Sequence, residues 1–318
     1  MVTAAPLRIA FFGTPEFAVP SLHALIASRH HVVGVVTQPD RPRGRGQRVT
    51  DSPVKRAAIE QGLPVLQPDR LRDPTFAAAF AEWSPDLGVV AAYGKLIPEE
   101  LLRLPRLGMI NVHGSLLPKY RGAAPVHRAV IAGELETGVT IMRVAKALDS
   151  GAMFAKATRP IGPDDTSAEV ERDLAAIGGP LLAGVVDQMA SGSAHEEPQD
   201  DSLSTYAPRL TRDEGLIDWN LTAMALHNRV RGLYPWPHAY TYLDGMRLIV
   251  MKSRVDVRPT TEAPGTIVGV SRDEIEVATG DRGRLALVEV QPEGRRAMRV
   301  RDFLAGHPMS VGSRLSAR

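Results

Sequence analysis

The run Ile9-Ala10-Phe11-Phe12 is the first of four short apolar runs in the N-terminal half of the chain. The other three are Val32 to Thr37, Leu87 to Ala92 and Met109 to His113. Each run has the length and apolar character of a buried strand, and helix-like segments separate the runs. Strands that alternate with helices favour a largely parallel sheet with crossover helices, so we predict an α/β fold for this half.

Two of the intervening segments carry clear helix signals. The segment Ser52 to Gln61 starts with a serine that can cap a helix and a proline at the first helical position. The segment Thr166 to Met189 repeats apolar residues at a spacing that keeps one side of a helix apolar. The stretch that follows, Ser191 to Pro208, is rich in serine, acidic residues and proline, a composition typical of a linker.

The C-terminal part has a different pattern. After a helix-like segment from Leu221 to Gly232, short β-type runs alternate with turn residues, which predicts a small antiparallel barrel. Ring-bearing side chains also recur there at every second position. We interpret them mainly as barrel core or rim, because a stacking platform is the rarer use of such a stripe. The runs are Tyr240 to Leu243, Arg247 to Met251, Gly265 to Val270, Glu274 to Ala278 and Leu285 to Val290, and the stripe is Tyr234, Trp236, His238, Tyr240 and Tyr242.

Length and composition bound the class of protein. A chain of 318 residues, 44% hydrophobic and 23% charged, suits a globular protein with one large domain and a smaller partner domain. The absence of cysteine excludes disulfides, thiolate nucleophiles and cysteine-bound zinc. The start carries no secretory signal, and no apolar run approaches the roughly 20 residues that cross a bilayer. We therefore expect a cytoplasmic protein without a membrane partner, and we take it to be a monomer.

Charge is distributed unevenly along the chain. Residues 1–205 hold 21 Lys and Arg against 23 Asp and Glu, whereas residues 206–318 hold 17 against 13. The formal net charge of +2 therefore divides into −2 and +4. A basic excess is expected of a part that meets a polyanion, although many solvated surfaces are mildly basic as well.

The residues with the clearest chemical character lie in the fourth apolar run. Asn111 and His113 are two positions apart in a predicted strand, so both side chains project from the same face where the strand leaves the sheet. That edge is where open α/β sheets bind ligands. On spacing alone, an Asn and a His at a strand end serve equally well to satisfy local backbone groups.

The loop after this strand resembles a known signature. Ser115-Leu116-Leu117-Pro118 with the following Tyr120 to Pro125, and the later Leu148-Asp149-Ser150-Gly151, are similar to two motifs of the folate-dependent formyltransferases. Further similarity to the members of that family that act on methionyl-tRNA covers nearly the whole chain. It includes Phe11 to Phe17, Ala92 to Gly94 and Gly232 to Pro237.

The resemblance implies a fold and a division of the chain. We expect an α/β protein with a Rossmann-like, mostly parallel sheet domain followed by a small antiparallel β-barrel (OB-like) domain. Residues 1–190 would form the catalytic domain that binds formyl-folate, 191–208 the linker, and 209–318 the domain that binds tRNA.

The resemblance also implies a reaction and its residues. The formyl group of 10-formyltetrahydrofolate, the donor co-substrate, would pass to the amino group of initiator methionyl-tRNA without a metal. Asn111 would donate to the oxyanion, His113 would donate to the same oxygen or move a proton, and Asp149 would orient the imidazole and favour its charged form. Asp149 lies 36 positions after His113, and an aspartate before glycine also suits a simple turn.

The folate site is assigned by the same resemblance to Ser115, Leu116, Leu117 and Pro118. The two leucines, held by a proline, could form a slot for a flat pterin ring. Without the neighbouring Asn111 and His113, such leucines would be interpreted as a cover for the core.

Four arginines within eight residues form a basic loop after the second predicted strand. Arg41, Arg43, Arg45 and Arg48 alternate with glycine, proline and glutamine, without an apolar anchor. Arginine pairs with phosphate through a forked, charge-assisted geometry, and the resemblance implies that this loop enters the acceptor end of the tRNA. The basic C-terminal domain would bind the RNA backbone. A solvated flexible loop accounts for the same composition.

Other functions fit only parts of the sequence. The turn Phe11 to Glu16 has one glycine where a dinucleotide site needs three, and the histidines lack metal-binding spacing. Another formyl-folate enzyme, acting on an amino sugar or releasing formate, would not need the arginine loop. A non-catalytic RNA-binding protein would not need Asn111, His113 and Asp149.

Overall fold

A computed structural model describes residues 5–43 and 48–316 of the chain. The strands are β1 Arg8–Gly13, β2 His31–Val36, β3 Arg41–Arg43, β4 Arg48–Thr50, β5 Val65–Leu66, β6 Leu87–Ala91, β7 Met109–His113, β8 Arg121–Gly122, β9 Glu136–Arg143, β10 Met153–Pro160, β11 Tyr206–Ala207, β12 Ala239–Leu243, β13 Met246–Asp256, β14 Ile267–Val270, β15 Ile275–Ala278, β16 Arg284–Pro292 and β17 Met298–Arg299. The helices are α1 Val19–Ile26, α2 Pro53–Glu60, α3 Pro74–Glu82, α4 Glu99–Leu102, α5 Pro125–Ala132, α6 Ser167–Ser191, α7 Ala223–Gly232 and α8 Val300–Gly306, with short 3-10 turns at Glu16–Ala18, Asp201–Leu203 and Asp213–Gly215.

A mostly parallel sheet organises the N-terminal half of the described chain. From edge to edge its strands follow the order β10, β9, β7, β6, β1, β2, β5. The strands from β7 to β5 run parallel, whereas β9 and β10 are antiparallel to their neighbours. The four strands predicted from the apolar runs are confirmed as β1, β2, β6 and β7. The carboxyl ends of the parallel strands share one edge, and β7 brings His113 to it.

The helices next to this sheet begin where the sequence supplies caps. The Ser52 hydroxyl accepts the backbone N–H of Lys55 at 3.1 Å, and Pro53 occupies the first turn of α2. At the start of α3, the Asp73 carboxylate accepts the backbone N–H of Thr75 at 2.9 Å. Each cap satisfies a backbone donor that the first turn leaves free. The predicted helix from Ser52 to Gln61 is therefore confirmed, with the physical cause that the sequence indicated.

Aromatic side chains pack at the centre of this core. The ring of Phe12 meets those of Phe80 and Tyr93 edge to face, with centroids 5.4 and 5.5 Å apart. Tyr93 is buried, and burial raises the pKa of its hydroxyl to about 12. Its hydroxyl finds no hydrogen-bond partner among the described residues. The packed, neutral ring of Tyr93 anchors the turn that follows β6.

The longest helix, α6, has the apolar side that its sequence predicts. Of the predicted apolar residues Val170, Leu174, Ile177 and Leu181, the first two are buried and the last two half-buried, and Leu182 and Val186 are buried as well. Within the described part of the chain, α6 is the helix long and apolar enough to cross a bilayer by length and composition, a test that core helices also meet. We predicted from the sequence that no segment is long and apolar enough to cross a bilayer, and α6 is an exception to that prediction. Burial of its apolar side within the protein accounts for the composition of α6.

The C-terminal sheet is antiparallel throughout. Its strands follow the order β12, β13, β16, β15, β14, and β17 pairs with β16. The last described segment joins both edges of this sheet, because Ser316 pairs with Tyr242 of β12 and Ser313 accepts the N–H of Ile267 of β14. A sheet whose two edges are joined in this way has no open edge there. The antiparallel architecture predicted for this part is confirmed.

The described chain divides into two compact units. Residues up to 125, 136–160 and 171–207 form the first unit, whereas 126–135, 161–170 and 208–318 form the second. From the sequence we divided the chain into a folate-binding domain (1–190), a linker (191–208) and a tRNA-binding domain (209–318). The two compact units do not test which substrate each domain binds. Those boundaries stay a prediction.

A buried arginine explains why residues 161–170 belong to the second unit. Arg231 of α7 donates to the side-chain oxygen of Asn228 at 2.7 and 3.0 Å, and to the carbonyl oxygens of Gly162 and Asp165 at 3.2 and 3.1 Å. Burial lowers the pKa of Arg231, so acceptors are needed to keep its charge inside the fold. The carbonyl groups of the 161–170 segment supply them.

Candidate functional site

The candidate site lies at the carboxyl end of β7. This strand sits between β6 and the antiparallel β9, with Asn111 paired to Val90 on one side and to Met142 on the other. Asn111 and His113 are two residues apart in the strand, so their side chains leave the same face of the sheet. Asn111 is half-buried, and its carboxamide makes no hydrogen bond to another described residue. A free amide donor therefore lies two residues before the imidazole, on the same face of the strand.

His113 is buried, and a hydrogen bond fixes one of its two ring nitrogens. Its Nε2 lies 3.0 Å from the carbonyl oxygen of Tyr120, which can only accept, so Nε2 carries a proton. Its Nδ1 lies 3.7 Å from Oδ2 of Asp149. This separation exceeds a direct hydrogen bond but allows an ion pair or one bridging water. The structure thus brings together His113 and Asp149, as the resemblance implied.

Asp149 is itself held by the loop after β7. Its Oδ2 accepts the backbone N–H of Gly122 at 2.9 Å. Asp149 adopts a positive φ of 48°, a conformation that residues other than glycine adopt at a cost of about 1–3 kcal/mol. Gly122 has φ 125°, and a Cβ there would lie 2.6 Å from the carbonyl oxygen of Ala207. Only glycine fits this position, so the donor to Asp149 depends on the absence of a side chain.

Gln199 connects the two loops of the site, and no sequence signal pointed to it. Its Nε2 donates to the carbonyl oxygens of Asp149 and Gly151, each at 2.8 Å. Its Oε1 accepts from Nε and Nη2 of Arg121 at 3.0 and 2.8 Å. Gln199 lies in the stretch that its composition marks as a linker. An amide among serine and acidic residues carries no signal that separates it from a solvated side chain.

Two more contacts join that stretch to the site. The Thr205 hydroxyl accepts the N–H of Tyr120 at 2.8 Å, and β11 pairs in parallel with β8. The backbone of Tyr120, whose carbonyl accepts from His113, is therefore fixed by residues about 85 positions further along the chain.

The loop proposed to bind folate divides into buried and half-buried members. The Ser115 hydroxyl donates to the carbonyl of Lys119 at 2.6 Å, and the Ser115 carbonyl accepts from Thr140 at 2.7 Å. Leu117 is buried with Met142 and Met153. These two side chains stabilise the loop itself, which leaves the half-buried Leu116 and Pro118 as the members able to meet a ligand. Leu116 packs where a Cβ on Gly138 would clash, at 2.4 Å.

The basic loop begins and ends as a hairpin. The backbone of Arg41 to Arg43 pairs antiparallel with that of Arg48 to Thr50, and Arg43 lies opposite Arg48. Arg45 lies outside the described residues. The role of Arg41, Arg43, Arg45 and Arg48 in RNA binding stays a prediction.

A cavity of about 370 Å³ lies at the carboxyl ends of β1, β2 and β6. Gln38 donates to the carbonyl of Tyr93 at 2.7 Å on one side of it, and Lys55 pairs with Asp40 on another. Burial opposes the ionisation of Asp40, but hydrogen bonds from Lys55 and Gln67 outweigh it and hold the pKa of Asp40 below its ordinary value. The lining residues are Thr14, Pro15, Gln38, Pro39, Asp40, Thr50, Ser52, Ala92, Tyr93 and Gly94.

This cavity gives a structural meaning to two of the quoted motifs. The turn after β1 and the turn Ala92 to Gly94 after β6 come together in its wall. Thr50 belongs to β4, so the arginine hairpin borders the same cavity. β6 is also the sheet neighbour of β7. The cavity is thus one strand away from the Asn111 and His113 pair.

Two family models match the chain. The formyl transferase model matches residues 7–186, and the formyl transferase C-terminal domain model matches residues 209–308. A methionyl-tRNA formyltransferase of Citrifermentans bemidjiense is 46% identical over 312 residues, which cover 98% of this chain and 97% of that protein.

Solved structures share the fold at low sequence identity. An N-formyltransferase from Helicobacter canadensis, in complex with folinic acid and dTDP-3-aminofucose, has a TM-score of 0.68 at 16% identity and covers 89% of this chain and 99% of its own. HypX from Aquifex aeolicus in complex with tetrahydrofolic acid has a TM-score of 0.64 at 17% identity, over 96% of this chain and 48% of its own. With both models matched in chain order and near-complete coverage by the Citrifermentans relative, the chain belongs to the formyl transferase family, in its methionyl-tRNA formyltransferase branch.

Proposed function

We propose that this protein transfers the formyl group of 10-formyltetrahydrofolate to the amino group of initiator methionyl-tRNA. The observation that carries the proposal is the approach of His113 to Asp149 at the ligand edge of the sheet, 3.7 Å apart. The methionyl-tRNA formyltransferase of Citrifermentans bemidjiense is similar to this chain over nearly the whole length of both proteins, which supports the same reaction. The product is formylmethionyl-tRNA, the form of the initiator that begins translation.

The residues near His113 fit a folate donor. Leu116 and Pro118 are half-buried and apolar, and they follow directly on the strand that carries Asn111 and His113. An apolar slot with few polar groups suits a flat ring. Folate-type ligands are bound by two proteins that share this fold, which supports a donor of the same class here. When bound, the donor supplies an activated formyl carbon.

The attacking group is the α-amino group of the methionyl ester. An α-amino group has a pKa of about 8, so a useful fraction is neutral at cellular pH. Its lone pair attacks the formyl carbon, the carbonyl oxygen gains negative charge, and the nitrogen of the donor leaves. The amine gives up one proton and the leaving nitrogen takes one, so the protein is unchanged after the cycle.

Asn111 is suited to the developing negative charge. Its carboxamide has no partner among the described residues, so it can donate to an incoming oxygen without breaking an existing bond. A fixed donor of this kind typically lowers a barrier by about 3–4 kcal/mol.

His113 is suited to move the proton. Since Nε2 already donates to the Tyr120 carbonyl, Nδ1 is the nitrogen able to accept a proton, and Nδ1 faces Asp149. The carboxylate can then stabilise the charged ring while the proton waits for the leaving nitrogen. Gln199 and Gly122 keep the Asp149 loop in place.

We assign binding of the tRNA substrate to the arginine hairpin and to the basic C-terminal part of the chain. The hairpin that carries Arg41, Arg43 and Arg48 borders the 370 Å³ cavity, and residues 206–318 carry a net charge of +4. Phosphates of an RNA acceptor would be bound by such groups, and the binding would weaken steeply with salt. The protein has no need of these features if its acceptor is a small amino sugar.

One assay tests the proposal. The purified protein is incubated with 10-formyltetrahydrofolate and with charged initiator tRNA, charged elongator tRNA, or a nucleotide-linked amino sugar. We expect formylmethionine on the initiator, less on the elongator, and no product with the sugar. Formylation of the sugar alone, or release of free formate without an acceptor, would replace the proposal with the corresponding alternative.

A further inference from the structure

One aromatic side chain of the first unit is exposed beside the candidate site. Tyr206 of β11 lies opposite Arg121 of β8, and the next residue, Ala207, lies opposite Gly122. A Cβ placed on Gly122 would lie 2.9 Å from Cε2 of the Tyr206 ring, so the ring packs directly on the glycine backbone. Tyr206 is nevertheless 66% exposed. The protein thus holds one edge of the ring while most of the side chain faces solvent.

Short contacts connect this ring with the imidazole. The N–H of Gly122, on which the ring packs, donates to Oδ2 of Asp149 at 2.9 Å. The same Oδ2 lies 3.7 Å from Nδ1 of His113. The carbonyls of the residues just before and just after Tyr206 accept backbone N–H groups of the loop after β7, each at 2.9 Å. Tyr206 therefore has a fixed place next to the groups proposed to react.

Exposure singles out this ring among the aromatic side chains of its unit. Within residues 5–43, 48–125, 136–160 and 171–207, Trp83, Tyr120 and Phe154 are half-buried and the other aromatic side chains are buried. Single exposed apolar side chains are common on protein surfaces, so exposure alone assigns nothing. A tyrosine ring in a fixed place, however, offers a large contact surface at a low cost in conformational entropy. Its position beside Asp149 makes a substrate the ligand to consider.

The proposed reaction indicates which substrate group meets this ring. The amine that attacks beside His113 belongs to an amino acid esterified to the ribose of the terminal nucleotide, which is an adenosine in every tRNA. Only the ester and the ribose separate the amine from the adenine, so the base lies on the surface that borders the site. The donor ring is assigned to Leu116 and Pro118, and the Asp201 carboxylate engages Arg121. An uncharged aromatic surface is left for a flat base.

We propose that Tyr206 stacks on the terminal adenine of the RNA acceptor and so places the aminoacyl group at His113. Base and ring meet through their faces, and the contact neutralises no phosphate, so it contributes nothing to the salt dependence of binding. The arginine hairpin and Tyr206 would therefore bind the acceptor in different ways. This inference rests on the proposed function, because it takes an aminoacyl-RNA to be the acceptor.

The first test observes the terminal base directly. Initiator tRNA with 2-aminopurine in place of its terminal adenine is titrated with the full chain, and the fluorescence of 2-aminopurine, which falls when this base stacks, is measured. We expect wild-type protein to lower the fluorescence. Tyr206→Phe keeps the ring and should lower it as well, whereas Tyr206→Leu keeps an apolar side chain without an aromatic face and should leave it near the value of free tRNA.

Steady-state kinetics separate the base from the donor. Tyr206→Leu should raise KM for initiator methionyl-tRNA about tenfold, with the wild-type salt dependence and with KM for 10-formyltetrahydrofolate unchanged. Leu203→Ala is the matched control, because Leu203 is 61% exposed in the same segment, and it should change neither KM. Thermal unfolding of each variant is measured alongside.

The outcomes distinguish this inference from the proposed function. Wild-type protein that binds the tRNA without lowering the fluorescence would overturn the role of Tyr206, and this result depends on the folding of no variant. An equal fall with Tyr206→Leu, a rise in KM for the donor instead of the tRNA, or an equal rise in Leu203→Ala would overturn it too, and the proposed function would stand. Failure of the wild-type protein to bind tRNA would overturn both.

Discussion

Arg121 and Arg247 show two opposite uses of arginine in one chain. Arg121, beside the candidate site, donates to Gln199 and to the carboxylate of Asp201. Arg247 of β13, whose guanidinium carbon lies 3.9 Å from the ring centroid of Tyr240, has a buried Nε without a partner in the described chain. The loops around His113 are thus held by the protein before a substrate arrives, whereas the described chain gives the Nε of Arg247 no acceptor. Contacts of the Arg121 kind fix the geometry of a site, which precise chemistry requires.

The largest expected effect follows from removing the imidazole. His113→Ala should lower the rate of formyl transfer by roughly 100- to 10,000-fold, because proton transfer by a placed side chain contributes about that much. Affinity for tRNA should stay close to the wild-type value. Single-turnover transfer and equilibrium binding measure the two quantities, and His195→Ala, at an exposed histidine, is the control. An equal loss of both would contradict the separation of chemistry from binding.

The next effect tests whether the site is held from within. Gln199→Ala removes the donors to the Asp149 and Gly151 carbonyls, and should lower kcat about 10- to 100-fold through misplacement of Asp149, with KM for both substrates little changed. Gln199→Glu should behave alike, because a carboxylate cannot donate to two carbonyls. Gln188→Ala, at an exposed glutamine of α6, is the control. Unchanged kcat in both Gln199 variants would mean that the hydrogen bonds from Gln199 to the Asp149 and Gly151 carbonyls have no part in catalysis.

A smaller effect belongs to the arginine hairpin. Arg43→Ala combined with Arg45→Ala should raise KM for tRNA about tenfold and reduce its salt dependence, because up to two phosphate contacts are lost. Folate binding should not change. Steady-state kinetics with each substrate varied in turn separate these outcomes, and a fall in folate binding instead would show that the hairpin serves the donor.

The smallest effect contrasts the paired Arg258 with the unpaired Arg247. Hydrogen bonds from Arg258 lower the pKa of Asp256 to about 2, from an ordinary value of 3.8. A depressed folded-state pKa gives stability that is present above about pH 4 and lost as pH falls through about 2. Asp256→Asn should therefore lower the free energy of unfolding by about 1–2 kcal/mol at pH 7, with the difference vanishing near pH 2. Denaturant unfolding across this pH range measures it, and a difference independent of pH would contradict the cause.

Much of the fold follows from local sequence. The apolar runs that became β1, β2, β6 and β7 were found because buried strands need continuous apolar residues, and α2 was found because Ser52 and Pro53 mark a helix start. Asn111 and His113 could be placed on one face because a strand repeats every two residues.

The long-range contacts of the site could not be derived in that way. The approach of Asp149 to His113 came from the resemblance, since no local rule joins residues 36 positions apart. Gln199 was missed because its partners are fixed by loop packing rather than by its neighbours. Leu117 turned out to lie in the core with Met142 and Met153, and a leucine in a loop gives no sign of the direction it will face.

The aromatic stripe shows the same limit on a smaller scale. Its alternation predicted barrel core or rim, and Tyr240 is indeed buried. The position of Arg247 beside it depends on the register between β12 and β13, and the lack of a partner for its Nε depends on which described side chains pack around it. Neither is readable from the sequence of one strand.

The central claim is that Asn111 and His113 act on the same formyl group. A double-mutant cycle of Asn111→Ala and His113→Ala, read from single-turnover transfer rates to initiator methionyl-tRNA, tests it most directly. We expect each single variant to lose about 100-fold or more, and the double variant to lose much less than the product of the two. Losses that multiply fully would mean that the amide and the imidazole act independently, and would contradict the account.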